Sequence, residues 1–435
     1  MIKSYKNKLY SWSERCGKKV GLDLSYFIKN GFWMAIGQIA DIIIGIALFA
    51  IFARLATKET LGYYQFVMAV FAVVSVASIP GLNTSVLREV ARGNDGEYVP
   101  AVRKSFFWSL LGVPIIILVG FYYYMFGSRE LGSILMITSV FFPFFYAPNT
   151  WNAFLQGKCE YKKFTIFGAV QSAINAVVTI AVIYLDRSNA LLIISVYLMS
   201  YSIFNVIYYC KSLNYIENNK NSGEAMKYGW FLTKINFFNF AAESVDKIII
   251  GTLLSPVSLA IFSVVSALPF KLKMVAKSIF SVTFPKMSQD SFRAIDFIKR
   301  RQGQVILIFA FLFSILAGVI YFFLIVPISQ LFFGDNYSDY YYYGRYFAIL
   351  VVIHVPYLIA SWYLQAKKMS RSITYISITS FLIKIVSLII GVKIWGIVGG
   401  IWIYNMNAIL LLGMHIIAIY IEDKKYSRLA LELTQ

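Results

Sequence analysis

Three charged side chains, Glu243, Asp246 and Lys247, stand within five positions of the otherwise apolar stretch NFFNFAAESVDKIIIG at residues 236–251. On a helix, Asn236, Asn239, Glu243, Asp246 and Ile250 recur at spacings of three and four and form one stripe. Lys247 follows Glu243 by four residues, within ion-pair reach. An ionised group at the centre of a membrane helix costs at least about 2.5–3.5 kcal/mol if it faces lipid. The spacing therefore leaves two readings. Either the stripe faces water and cargo, or Glu243 and Lys247 pair to staple helices and Asp246 still needs a partner.

Other apolar runs carry similar interruptions. Gln38 and Asp41 lie three apart, Gln171 and Asn175 four apart, and Ser377, Ser380, Lys384 and Ser387 follow one face with Lys384 central. His354, Tyr357, Ser361 and Gln365 share another face; His354 reads either as a proton site or as a hydrogen-bonded packing residue. Lys273 and Lys277 sit near a run's end, where a long side chain reaches the interface, whereas Lys271 lies deeper. Inside the apolar runs the lysines 234, 247, 271, 273, 277 and 384 outnumber the acids Asp41, Glu243 and Asp246. If they line one cavity, it is net positive and suits an anionic cargo. Lys234, Lys247, Lys271 and Lys384 are the expected cargo contacts. Asp41, Glu243 and Asp246 are the acids available for ion coupling, and Gln38, Asn236, Asn239, Gln171, Asn175 and His354 are the polar lining.

Other chemistry is excluded by what the sequence lacks. It has no GxxxxGK[ST] phosphate loop, HExxH, CxxC or GxSxG, and only two histidines, so no ATPase, metal centre or serine hydrolase is expected. No cofactor is expected beyond a coupling ion. The three cysteines, Cys16, Cys159 and Cys210, read as free thiols.

The elements that hold these residues are membrane helices. The chain of 435 residues is 59% hydrophobic and 14% charged, against roughly 25% charged in soluble domains. Twelve runs reach membrane length: 31–53, 61–82, 104–126, 132–154, 164–185, 190–210, 231–254, 257–280, 303–327, 345–365, 373–391 and 396–420. Of the 40 Lys and Arg, 28 fall in alternate connections and both ends, and only 6 in the opposite connections. That bias places both termini in the cytoplasm. The net charge of +19 is thus a loop property, and nucleic-acid binding is not expected. The opposite connections are too short for a catalytic domain.

The expected organisation is an amphipathic cytoplasmic segment at 1–30, a six-helix half at 31–210, a polar cytoplasmic linker at 211–230, a second six-helix half at 231–420 and a cytoplasmic tail at 421–435. Asp41-Ile-Ile-Ile-Gly45 in the first span echoes Asp246-Lys-Ile-Ile-Ile-Gly251 in the seventh. Two parallel halves around a central cavity suit alternating access.

Several stretches in order resemble one family. They are LATKETLGYYQFVMAVFAVVSVASIPGLNTSVLREVARG (55–93), WNAFLQGKCEYKKFTI (151–166), ESVDKIIIGTLLSPVSLAIFSVVSAL (243–268) with FPKMS (284–288), VPISQLFFGDNY (326–337) and YLQAKKMSRSITY (363–375). Together they resemble the MOP superfamily, in particular bacterial polysaccharide flippases of the O-antigen, Wzx type. The resemblance implies an all-α, MATE-like fold in the inner membrane. It implies transfer of an undecaprenyl-diphosphate-linked oligosaccharide from the cytoplasmic to the periplasmic leaflet, coupled to protons or sodium, alongside a polysaccharide polymerase and chain-length regulator. The lysines would hold the diphosphate, although relatives often carry arginines there. The rivals are a multidrug exporter of the same superfamily, which would need an acidic cavity, and a membrane polymerase or glycosyltransferase, which would need a larger external loop.

Overall fold

A computed structural model describes residues 24–242, 244–280, 301–367 and 369–432. The expected N-terminal segment up to residue 23, Glu243, the FPKMS stretch and the Asn239 side chain lie outside what is described. The described chain is helical throughout: α1 Leu24–Leu55, α2 Lys58–Val74, α3 Gly81–Ala91, α4 Tyr98–Ser109, α5 Gly112–Phe126, α6 Arg129–Thr138, α7 Phe142–Tyr146, α8 Trp151–Gly157, α9 Tyr161–Leu185, α10 Ala190–Ser212, α11 Glu224–Ala242, α12 Val245–Leu253, α13 Pro256–Phe280, α14 Arg301–Phe333, a 3₁₀ stretch Ser338–Phe347, α15 Ala348–Ala366 and α16 Ser370–Glu432.

Ten segments among the described residues are long and apolar enough to cross a membrane. The expected span 231–254 is broken into α11 and α12. The run Arg371–Ile421 holds both expected spans 373–391 and 396–420, which meet at one non-helical residue, Gly396, at φ 58°. A straight helix would hold Gly391 and Gly399 about 12 Å apart. Here a Cβ on Gly399 would overlap the Gly391 carbonyl, so the chain reverses at Gly396. Positive φ suits glycine, which has no Cβ to clash. Outward-facing apolar residues such as Leu118, Phe126 and Leu331, 68%, 80% and 71% exposed, form the surface that lipid covers. The protein is a multi-pass membrane protein.

Helix starts follow local chemistry. Ser128 Oγ accepts from Leu131 N at 3.3 Å at the head of α6, and Asn189 Oδ1 accepts from Leu192 N at 3.0 Å at α10. Ser255 Oγ accepts from Ser258 N at 3.0 Å, with Pro256 as the first residue of α13. Each satisfies a donor that the first helical turn leaves unpaired.

The chain divides into two compact units. Unit 1 comprises Met1–Phe49 and Val74–Lys234; unit 2 comprises Ala50–Val73 and Ile235–Gln435.

Unit 1 has a core of Ile79, Leu82, Val86, Tyr98, Trp151, Phe154 and Tyr208. Its helices are also joined by buried polar groups. Asn205 Nδ2 donates to Phe145 O at 2.7 Å, while its Oδ1 accepts from Gln171 Nε2 at 2.8 Å and Trp151 Nε1 at 3.4 Å. Asn175 Nδ2 donates to Tyr197 O at 3.0 Å. Without water to compete, such bonds contribute about 0.6–2 kcal/mol each. Between α8 and α9, Lys158 Nζ donates to Asp95 Oδ2 at 3.0 Å and to Glu217 Oε2 at 2.8 Å. Burial disfavours the Lys158 ammonium, but the bonds to Glu217 and Asp95 outweigh it and hold its pKa above the ordinary value. Glu89 goes the other way. Burial pushes its carboxyl up, yet the bonds from Asn94 and Ser222 and the charges of Arg92 and Arg88 hold it below the usual range.

Unit 2 contains α2, although α2 lies early in the sequence. A Cβ on Gly62 would overlap the Pro256 carbonyl, and one on Gly251 would lie 2.5 Å from the Phe66 ring. These two glycines allow α2 to press against α13 and α12. Tyr321 Oη donates to Gly344 O at 2.9 Å and Asn405 Nδ2 to Tyr346 O at 2.7 Å, tying α14 and α16 to the 3₁₀ stretch. Phe262, Phe270, Phe347 and Tyr404 form an aromatic cluster with centroids 5.1–6.4 Å apart.

Candidate functional site: a charged cluster at a broken helix

The break between α11 and α12 lies inside a membrane-length apolar run. A helix that stops leaves its last carbonyls unpaired, and one that starts leaves its first amides unpaired. At depth no lipid group can satisfy them. Unit 2 answers with charged side chains. Lys384, on α16 and 5% exposed, donates from Nζ to Ala242 O at 2.6 Å, the last carbonyl of α11. Its positive charge there matches the negative end of the helix dipole. Asp246 occupies the first turn of α12, where the dipole favours a negative charge. The two half-helix ends thus carry side chains of opposite sign, each complementary to its own end.

Lys384 Nζ lies 4.0 Å from Asp246 Oδ1 and 4.6 Å from the centroid of the Tyr404 ring. Asp246 is fully buried, and neither of its carboxylate oxygens has a hydrogen-bond partner among the described residues. Its compensation is therefore Coulombic. Lys247, the next residue, turns to Gln65 on α2, donating to Oε1 at 2.8 Å. This is the outcome for Lys247 in the pairing reading above: its bond goes to an amide of another helix, while Glu243 lies outside the described residues.

The other expected residues distribute as follows. In unit 2, Lys271 and Asn236 are half-buried; Lys234, the last residue of unit 1, is exposed. His354 is buried, with Nε2 3.2 Å from Lys273 O, so it ties α15 to α13. Tyr357, one turn along α15, packs edge-on against His415 at 5.2 Å. In unit 1, Gln38 and Asp41 are exposed, and Asp41 Oδ1 accepts from Ser172 Oγ at 3.1 Å, joining α1 to α9. Gln171 and Asn175 are both 2% exposed and bond to α10, so they occupy a helix–helix seam.

Sequence reasoning missed Gln65, Tyr404 and the Ala242 carbonyl. Gln65 carried a readable signal, since it is a lone amide in an apolar helix. Tyr404 carried none, because tyrosines are common throughout the chain. A main-chain carbonyl has no sequence signature at all.

Comparison with known proteins agrees with this architecture. A family model described as polysaccharide biosynthesis protein matches residues 27–290. No curated relative matches the chain. Among solved structures, the lipid II flippase MurJ in an inward closed conformation is similar at a TM-score of 0.67 and 15% identity, over 89% of this chain and 87% of that one. An inward-facing multidrug resistance MATE transporter of the MOP superfamily is similar at 0.63 and 13%, over 91% and 99%. A MOP superfamily transporter from Pyrococcus furiosus, described as having a binding pocket of reverse polarity, is similar at 0.54 and 13%, over 93% and 96%. At these identities the likeness shows the fold, which is the MATE-like MOP fold.

Proposed function

We propose a function from one premise: the chain belongs to the polysaccharide biosynthesis protein family. It moves an undecaprenyl-diphosphate-linked oligosaccharide unit of a surface polysaccharide, such as O-antigen, from the cytoplasmic to the periplasmic leaflet. The protein is a transporter of the bacterial inner membrane with both termini in the cytoplasm, by the 28-to-6 distribution of basic residues. A polymerase and a chain-length regulator would act on the delivered unit.

The observation that carries this reading is the excess of lysines over acids inside the apolar runs, Lys234, Lys247, Lys271, Lys273, Lys277 and Lys384 against Asp41, Glu243 and Asp246. A diphosphate is the part of the cargo that such a surplus attracts through charge-assisted hydrogen bonds. Lys271 extends the basic set in the same unit as Lys247 and Lys384, and Asn236 supplies polar lining. Asp41, Glu243 and Asp246 are the acids available for coupling transport to a proton or sodium gradient. Alternating access then exposes the basic set to either leaflet.

The multidrug exporter is the second reading, favoured by the near-complete coverage of a MATE structure. It requires a site that attracts cations, and the lysine surplus opposes it.

The test is complementation. The gene is deleted in its host and restored as wild type, Lys384→Ala, Lys271→Ala or Asp246→Asn at matched membrane levels. Surface polysaccharide lost in the Lys384 and Asp246 variants, with lipid-linked units accumulating on the cytoplasmic side, is the expected result. Intact polysaccharide in the deletion strain would overturn the reading in favour of the exporter.

A further inference from the structure

Unit 2 carries a polar concavity, remote in sequence from the charged cluster. It has a volume of about 460 Å³ and is lined by Arg54, Gln330, Phe333, Gly334, Asp335 and Asn336. That size falls in the range of about 300–1,000 Å³ typical of small-molecule sites. The segments that form it join α1 to α2 and α14 to α15, which is the end of the unit that the distribution of basic residues places away from the cytoplasm.

Its polar groups are held in fixed orientations. Arg54 Nε donates to Phe332 O at 2.8 Å and its Nη2 to Leu331 O, so the guanidinium caps the last turn of α14. Asn336 Nδ2 donates to Arg54 O at 2.8 Å and Ala53 O at 3.3 Å. Gln330 Nε2 donates to Asp335 Oδ1 at 3.1 Å. These bonds use the Asn336 amino group and one Asp335 oxygen. By the inventory of these side chains, the Asn336 carbonyl oxygen, the second Asp335 oxygen and further guanidinium N–H groups remain to meet a ligand. Asp335, Asn336 and Arg54 are all exposed. Planar donors and acceptors at fixed angles suit vicinal hydroxyl groups.

Aromatic rings follow this concavity along the chain, with Lys58 bridging the first two. Tyr337 follows Asn336, and Lys58 Nζ lies 5.3 Å from its ring and 5.4 Å from that of Tyr340. Tyr340 is 6.2 Å from Tyr343, Tyr343 is 4.3 Å from Tyr342 and 6.3 Å from Tyr346, and Tyr346 is 5.7 Å from Trp402. Tyr342 and Trp402 are 46% and 42% exposed. Tyrosine and tryptophan offer an apolar face with a polar edge. A sugar ring has the matching construction, with C–H groups on its faces and hydroxyls on its rim.

We propose that this concavity and its tyrosine ladder form a saccharide-binding subsite for the oligosaccharide part of the cargo. The proposal rests on the flippase reading above and adds where the glycan, as opposed to the diphosphate, is recognised. Arg54 and Lys58 extend its range to acidic sugars. The ladder explains selectivity among repeat units, because ring stacking reads the face of a sugar and the Asn336 and Asp335 acceptors read hydroxyl orientation.

The experiment uses the full chain in lipid nanodiscs. The probe is the soluble repeat-unit oligosaccharide released from the host's own surface polysaccharide by mild acid, and binding is followed by saturation-transfer NMR. Saturable binding that falls at least ten-fold in Asp335→Ala and in Tyr342→Ala, and is unchanged in Gly168→Ala, is the expected result. Both substituted residues are exposed, so correct folding is checked by retained translocation of wild-type cargo at high expression. No saturable binding, or binding indifferent to both substitutions, overturns the subsite and leaves the tyrosines as an interfacial belt. Translocation assayed in the same strains separates the two proposals: a strain that still requires the protein for surface polysaccharide while the nanodisc shows no glycan binding retains the flippase and loses the subsite.

Discussion

Replacing Lys384 by methionine removes three interactions at once. They are the 2.6 Å bond to the Ala242 carbonyl, the attraction of Asp246 at 4.0 Å and the contact with the Tyr404 ring at 4.6 Å. The Coulomb term alone is about 4 kcal/mol at an effective dielectric constant of 20. Methionine keeps most of the apolar stem, so packing loss is small. What remains is a fully buried Asp246 carboxylate with no hydrogen-bond partner. Breaking a buried pair in this way costs about 3–5 kcal/mol. Asp246→Asn is milder, because Lys384 keeps the Ala242 carbonyl. The double variant removes both charges, and its cost is expected to be less than the sum of the two single costs by at least about 2 kcal/mol. The assay is a double-mutant cycle of unfolding free energies, measured by denaturant titration in mixed micelles at pH 7. A coupling energy below about 0.5 kcal/mol would refute the argument, since two groups that do not sense each other add.

Further outcomes follow from other contacts. Gly62→Leu forces a side chain into the Pro256 carbonyl and is expected to lower thermal stability by more than the ~1–3 kcal/mol of ordinary overpacking; Gly168→Ala, with nothing within 4 Å of its Cβ, is expected to leave it within about 0.5 kcal/mol. Asn205→Ala removes three bonds between helices of unit 1, an expected loss of about 2–6 kcal/mol at 0.6–2 kcal/mol per bond, read as earlier aggregation on heating in detergent. Glu89 has a folded pKa below its ordinary 4.5, so its contribution to stability is present above that pH and lost as pH falls through the lowered value. Lys158, with a folded pKa above 10.5, contributes fully below that pH and loses its contribution as pH rises through the raised value. A melting-temperature profile from pH 3 to 12 is expected to flatten at its acid end in Glu89→Gln and at its alkaline end in Lys158→Met.

The sequence made some features legible because they break a strong local pattern. Asp246, Lys247 and Lys384 stand out as ionisable groups in apolar runs, and apolar surroundings allow few explanations for a charge. Gly396 coincides with the start of an expected span, since a glycine between two apolar runs favours a reversal. The break between α11 and α12 was not legible: Ala-Glu-Ser contains neither proline nor glycine, and a chain reader sees a continuous apolar run. The partners of Lys247 and Lys384 were hidden because they lie 182 and 142 residues away. Gln171 and Asn175 show a different limit. Polar residues spaced by four fit a hydrated face and a helix–helix seam equally well, and only the position of α10 decides between them.

The membership of α2 in unit 2 has a consequence for how the protein is made. Gly62 leaves the ribosome about 190 residues before Pro256, the residue against which it packs. At about 5–20 residues per second, α2 waits on the order of 10–40 s for its partner. During that interval its Gln65 amide has no Lys247 to bind and its Gly62 face lies bare in the bilayer. Unit 1 resumes at Val74 while α2 is still unpartnered, so the biosynthesis of this membrane protein is expected to pass through a stage in which one helix is held aside, and an insertase or lipid environment that shields a single polar helix would govern its yield.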